Sequence, residues 1–417
     1  MKNKHIRTLN KLSLTIHNFI HEYDYVLGKR NKKTSILDGV VYKIIQGEKE
    51  MSGPKATYAM NKFKNMKISR TSYGDREKQI SLDLYKQIYG KISNGLNFIN
   101  DGKICKQILA VDATQFNLNK KIANDGLKLN KNQLSINGFA LGVYNVTYGT
   151  PISLKLLNHK NERKGFLDYL NDTEEDNSYI YVLDRGYYSE DLVEKLFTKN
   201  VNFVCRLRDN LKIIPKNMTD EIVKCGNTNL RVITYTINKM KYYLGTNLNK
   251  DEFSEDGIKN MYHQRWSIEE FFKYLKQNMD LNRLNEKTFD EIQRSLYSYL
   301  IIRKLVDAIC KIKGLHKNNK MIINKAVLTK AIYEDFIFRF FYNQKIGDKS
   351  IRKFIDTAVQ YEITHRNESN PRTSSIPYTK WYVKKFYHKY VLEGKKKYHS
   401  TMELKKLGVS NNLKPNS

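Results

Sequence analysis

The sequence predicts an α/β fold with helical regions before and after it, and three observations carry that expectation. From Lys106 to about residue 210, three strand-like runs are followed by a helix, a strand, a helix and a strand. The residues before this stretch read as short helical segments separated by basic loops. The 417 residues are 40% apolar and 12% aromatic, enough for two or three domains that each bury a core.

Residues 1–103 form the helical, basic N-terminal region, where basic residues interleaved with Tyr and Phe are what a DNA-contacting domain needs, a plain basic solvated surface being the alternative. It contains GKRNKK (28–33) and SGPKATYAMNKFKNMKISR (52–70), and Gly53 with Pro54 marks a break. QILAVDATQFNL, GFALGVYNVTY and TPISLKLLNH are strand-like, with hairpin breaks expected at Asn137-Gly138 and at Gly149 to Pro151. NERKGFLDYLND (161–172) reads as a helix and YIYVLDRGYY as a continuous apolar strand ending at Asp184. SEDLVEKLFTKN (189–200) starts a helix with a Ser cap and first-turn acids, and NFVCRLRDN is another buried strand. This order is that of a ribonuclease-H-like domain, set at residues 104–310. LRVITYTI and MKYYLGTNL, within about 211–248, break the rhythm as a β insertion before a long helix beginning near Ser254. Residues 311–417 complete the chain as a helical region with a basic tail, joined by a polar, proline-containing linker at 365–380. Between 380 and 406 nine Lys stand against two Glu, interleaved with aromatic residues.

The charge points to a partner. With 73 Lys and Arg against 43 Asp and Glu the net charge is +30, the footprint of a polyanion-binding chain. A membrane surface is the competing polyanion, but no apolar run approaches the roughly 18–20 residues that span a bilayer. The basic N-terminus is interrupted by His17 and Asn18, so no signal peptide is read. Nucleic acid is the better partner. Cys105, Cys205, Cys225 and Cys310 are scattered without a C-x-x-C pair and are expected as buried apolar side chains in a reducing compartment. The nine histidines form no ligand pattern, so any metal must be held by carboxylates, which suits Mg²⁺ or Mn²⁺.

YHQRWSIEEFFKYLK (262–276) sets Tyr262, Arg265, Glu269 and Lys276 at spacings of three, four and seven. On one helix they fall within an arc of about 60°, while Ile268, Phe271, Phe272 and Leu275 form an apolar stripe beside them. One acid among three phosphate-seeking groups suits a metal-bound phosphodiester; a solvated face with an Arg265–Glu269 pair is the plainer alternative. Asp112 and Asp184 each follow a run of four apolar residues. A carboxylate on a buried strand is held as a metal ligand requires; each could instead be a turn or capping residue. Both lie on strands expected to be neighbours, with Glu269 reaching across from its helix, and three such carboxylates would hold two divalent ions about 3.5–4 Å apart.

With these residues in place, the chain resembles the DDE transposases of bacterial insertion sequences that carry a Y-x2-R-x3-E-x6-K signature. The signature stands at Tyr262, Arg265, Glu269 and Lys276; DRGYYS (184–189) and VDAT (111–114) are similar to the second- and first-aspartate motifs. The likeness covers about residues 106–310. It implies Asp112, Asp184 and Glu269 as catalytic metal ligands for two Mg²⁺ or Mn²⁺ ions, and Tyr262, Arg265 and Lys276 as contacts to transposon-end phosphates. It implies cleavage of double-stranded DNA at inverted-repeat ends and joining of the 3′-hydroxyl to target DNA. The protein would act as a homodimer in the bacterial cytoplasm, at the nucleoid, without a membrane role. Hairpin-forming relatives stack an extruded base on a Trp of the insertion. Here both tryptophans, Trp266 and Trp381, lie outside it, leaving Tyr235, Tyr242 or Tyr243 to stack. A ribonuclease-H-like nuclease or resolvase without strand joining, and a domesticated DNA-binding protein, are the alternatives.

Overall fold

In the computed structural model the described residues are 3–26, 33–49, 51–96, 106–119, 122, 136–173, 177–214, 219–237, 239–312 and 323–359. They belong to one compact unit, Met1–Ile363. The linker at 365–380 and the basic tail lie outside the described residues, as does most of GKRNKK.

Five helices come first: α1 (Asn3–Val26), α2 (Ile36–Ile45), α3 (Gly53–Lys64), α4 (Arg70–Lys78) and α5 (Leu82–Leu96). Serines cap four of them, Ser81 accepting from Leu84 N at the start of α5. Ser35 and Asp38 form a reciprocal capping box on α2, Ser52 accepts from Lys55 N at the start of α3, and Ser69 from Ser72 N at the start of α4.

The sheet follows: β1 (Gln107–Leu118), β2 (Ile136–Asn145), β3 (Thr150–Leu157), helix α6 (Glu162–Asn171), β4 (Tyr179–Leu183), helix α7 (Glu190–Thr198) and β5 (Asn202–Leu207). The insertion adds β6 (Asp220–Cys225), β7 (Thr228–Ile237) and β8 (Met240–Thr246). Among the described residues the strands form one eight-stranded sheet in the order β3-β2-β1-β4-β5-β8-β7-β6. β1, β2 and β3 pair antiparallel, β1-β4 and β4-β5 parallel, and β8 joins β5 antiparallel. That order and polarity is the ribonuclease-H-like arrangement, with its sheet extended by the insertion.

Two expectations are corrected. Asn137-Gly138 makes no hairpin turn; both lie inside β2, paired with Asn117 and Phe116 of β1. The pairing with β1 decides this over the local turn preference of Asn-Gly. The turn expected at Gly149 does form, and there φ is +63°. The long helix from Ser254 is two helices, α8 (Glu255–His263), capped by Ser254, and α9 (Trp266–Asn278). Between them Arg265, Ser267 and Ile268 donate to carbonyls three residues back, Tyr262, Gln264 and Arg265 respectively. These tight 3₁₀-type bonds break the regular α-helical phase, so the single arc does not extend back to Tyr262.

Helices α10 (Phe289–Ile312), α11 (Lys325–Ala331), α12 (Ile337–Phe341) and α13 (Asp348–Val359) complete the described chain, with a π-helical turn at Ile332–Phe336. One sheet face packs on the main core: Ala110, Phe116, Ala140 and Leu154 meet residues of α9, α10 and the N-terminal helices. The opposite face, with Leu109, Val111, Leu141 and Val143, packs on α6 and α7 through Phe166, Leu192 and Leu196. α10 is tied into both neighbours. Gln293 bonds the backbone of Leu154 and Leu156 on β3, and buried Arg294 pairs with Glu77 of α4. Cys205, Cys225 and Cys310 are buried free thiols, as expected; Cys105 lies outside the described residues. No helix among the described residues is long and apolar enough to cross a membrane.

Candidate active site

β1 and β4 run parallel with Val111 opposite Leu183, so Asp112, inside β1, and Asp184, the residue after β4, sit side by side just past the end of the β1–β4 pairing. Alternation along β1 sends Ala110 and Phe116 into the core with α9, which puts Asp112 on that same face. α9 is held there by Ile268, Phe271, Phe272 and Leu275, all buried as the apolar stripe predicts. Opposite Asp112 on β2 stands Gly142, where a Cβ would come within 2.7 Å of the Phe272 ring. The glycine is therefore what lets α9 lie close to β1 and β2.

Two side chains contact the three acids. Arg265 Nη2 donates to Glu269 Oε1 at 2.6 Å, and Nη1 lies 3.6 Å from Asp112 Oδ2. Tyr262 Oη donates to Asp184 Oδ1 at 3.2 Å. The Arg265–Glu269 pair thus forms, but not on a solvated face: Arg265 is only 6% exposed. Asp112, Asp184, Glu269, Tyr262 and Arg265 are brought together. Lys276 is not among them; it lies seven residues beyond Glu269, about 10 Å along α9, and is half-buried without an ion-pair partner among the described residues.

The electrostatics are those of crowded carboxylates. Burial pushes the Asp112 carboxyl up to about 6; the Ala113 N–H and Arg265 oppose this, and the charges of Glu162 and Asp184 add to it. Glu162 is raised as well, by burial first and then by Asp184. This acid, the first residue of α6, is one that the sequence reading missed. Its neighbour Arg163 donates Nε–H to the Gly186 carbonyl, which fixes α6 against the turn after Asp184. The only sequence signal for Glu162 is its place in a polar stretch entering a helix, and that is weak. Tyr187, also missed, is fully buried with an unpartnered hydroxyl, and its pKa is raised by burial and then by Asp112, Glu162 and Asp184. Burial alone lowers the ammonium of Lys276.

Among the described residues no three His, Cys, Asp or Glu side chains are gathered as a metal-holding group; the Arg265 guanidinium contacts Asp112 and Glu269 instead. The residues nevertheless fit a hard divalent cation. All the donors are carboxylate oxygens, burial and then the neighbouring acids Glu162 and Asp184 disfavour the charged form of Asp112, which a cation would favour, and the Tyr187 hydroxyl is buried without a partner.

On the insertion, Tyr235 and Tyr242 are cross-strand partners with rings stacked 5.4 Å apart, and the Arg206 guanidinium lies 4.8 Å from the Tyr242 ring centre. Tyr243 points to the other sheet face, against the core with α6 and α7. Arg185, Arg206, Arg208 and Lys241 line a pocket of about 450 Å³ with Tyr242 and Tyr243.

The family model of the transposase DDE domain matches residues 103–305. Over 139 residues the chain is 30% identical to a Synechocystis sp. protein described as a transposase for insertion sequence element IS4SA, covering 30% of this chain and 41% of that one. Over 151 residues it is 26% identical to a Geobacillus stearothermophilus protein described as a transposase for element IS5377, covering 31% and 40%. The alignments therefore span about two fifths of each curated relative. The solved piggyBac transposase synaptic complex with hairpin DNA aligns at 11% identity and a TM-score of 0.43, over 90% of this chain and 86% of that one. Residues 103–305 match the transposase DDE domain, and in that part the chain is similar to the DDE transposases of bacterial insertion sequences.

Proposed function

We propose that the protein cuts DNA at the ends of its own element and joins the freed 3′-hydroxyl to target DNA. The observation that carries this is the strand register that sets Asp112 beside Asp184, with Arg265 joining Asp112 to Glu269. Divalent-metal use comes with the family. Here Asp112, Asp184 and Glu269 would hold it, as two Mg²⁺ or Mn²⁺ ions. When bound, the metal supplies Lewis-acid activation of the attacking oxygen and stabilisation of the leaving one.

The chain's own residues do the rest. Asp112 is held inside β1, paired with Gly142 of β2, and Asp184 directly follows the parallel strand β4. Tyr262 orients Asp184 through its hydroxyl. Arg265 neutralises Glu269 and Asp112 in the DNA-free protein, and its fork is then available to a phosphate when DNA enters. Lys276, without a carboxylate partner, contacts a phosphate further along the same strand. Tyr242 with Arg206 offers a surface for an unstacked base, backed by Tyr235, while Tyr243 lines the same basic pocket.

DNA is the partner that the family and the charge of +30 indicate. Two copies of the chain would pair two element ends, in the bacterial cytoplasm at the nucleoid. The test is strand transfer: a pre-cut duplex of the element's end, a supercoiled target plasmid and Mg²⁺. A joined product supports the transposase reading; cleavage without joining would make the protein a nuclease.

A further inference from the structure

A second basic surface lies in the N-terminal helices. α3 ends in a left-handed Asn65, with φ of 50°, and five residues later α4 begins. The turn opens a groove of about 800 Å³ lined by Pro54, Thr57, Tyr58, Asn61, Lys62, Asn65, Met66, Lys67 and Arg70. Three cations line it and no carboxylate does. Lys62, Lys67 and Arg70 form no ion pair among the described residues, whereas Lys64, on the same helix, is taken by buried Asp38.

Three further features suit a polyanion. Tyr58 is 69% exposed and stands one helical turn before Lys62, so a ring and an ammonium share one face of α3. The exposed Arg70 side chain lies over Gly53, which brings its guanidinium to the start of α3. The amino end of α4, where Arg70 is the first residue, adds the partial positive charge of its unpaired N–H groups. Asn61 is not free to bind; it bonds both backbone groups of Ile68 and thereby fixes the turn.

We propose that the α3–α4 groove binds the phosphate backbone of duplex DNA, with Lys62, Lys67 and Arg70 as the phosphate contacts and Tyr58 packed on the sugar edge. This rests on the DNA-processing reading given above. It adds a contact surface on elements that contribute none of the three acids.

The test measures the affinity of the full chain for a fluorescein-labelled mixed-sequence DNA duplex across a salt series. Each of Lys62→Gln, Lys67→Gln and Arg70→Gln is expected to flatten the slope of log K against log salt by about 0.9, and the triple variant by close to three times that. Lys62→Arg should keep the wild-type slope, as should Lys86→Gln on the exposed side of α5, a control for charge alone. A triple variant with the wild-type slope overturns this inference and leaves the proposed activity standing. A wild-type chain that binds no duplex overturns both.

Discussion

Arg265 donates to Glu269 at 2.6 Å from a position that is almost closed to solvent. The same guanidinium reaches toward Asp112 on β1, so one cation spans two elements that meet only through packing. In the proposed reaction a metal ion on these acids would take over the charge balance that Arg265 provides here, and the guanidinium would turn from holding the acids to holding DNA.

Arg265→Ala and Lys276→Ala should accordingly differ. Removing Arg265 leaves Asp112 and Glu269 without their shared partner and should cost about 1–3 kcal/mol of stability, together with strand transfer. Lys276→Ala should weaken the DNA complex while the melting temperature stays put, since burial of an unpaired ammonium is already unfavourable. Thermal melting beside DNA titration separates the two. Equal melting losses would contradict the assignment.

Asp112 sets a pH dependence on the metal-free protein. Its folded pKa, about 6, lies above the unfolded value, so the folded state binds this proton more tightly. The stability it contributes is complete below about pH 4 and is lost as pH rises through 6, at most on the order of 3 kcal/mol. Asp112→Asn should raise the melting temperature above pH 7 and change little at pH 4. A lower melting temperature for the Asn variant at pH 8 would show that the ionised acid is stabilising instead.

Gly142→Ala tests the seating of α9. The added methyl meets Phe272 at 2.7–2.8 Å, in a core with little room to give, and should cost about 1–3 kcal/mol. Because α9 carries Glu269, strand transfer should fall further than stability does. Phe272→Leu in the Gly142→Ala background should restore part of both. Activity unchanged in Gly142→Ala would mean that the α9 position is not critical.

Much of this site could be read from the chain. Asp112 and Asp184 stood out because four apolar residues precede each, the mark of a strand buried on both faces. The stripe of Ile268, Phe271, Phe272 and Leu275 gave the buried side of α9 for the same reason. The break at Gln264 and Arg265 was not legible, because nothing local there opposes a helix; the bonds three residues back form where α8 and α9 pack on different parts of the sheet. Asn137-Gly138 misled because its turn preference is local, whereas its pairing partners lie twenty residues earlier in sequence. Glu162 and Tyr187 were missed because their roles depend on α6 and the turn after β4 meeting around Asp184. Only the tertiary fold makes that contact.

In the proposed reaction Asp112, Asp184 and Glu269 act as one unit. The most direct measurement of this is Mg²⁺-dependent strand transfer by the three single Ala variants and by the Asp112→Ala, Glu269→Ala double variant, with end binding recorded alongside. Each single variant should abolish cleavage and joining while binding stays near wild type, and the double should be no worse than either single. Glu269→Ala retaining near wild-type strand transfer would contradict the account, because α9 would then not supply the third carboxylate.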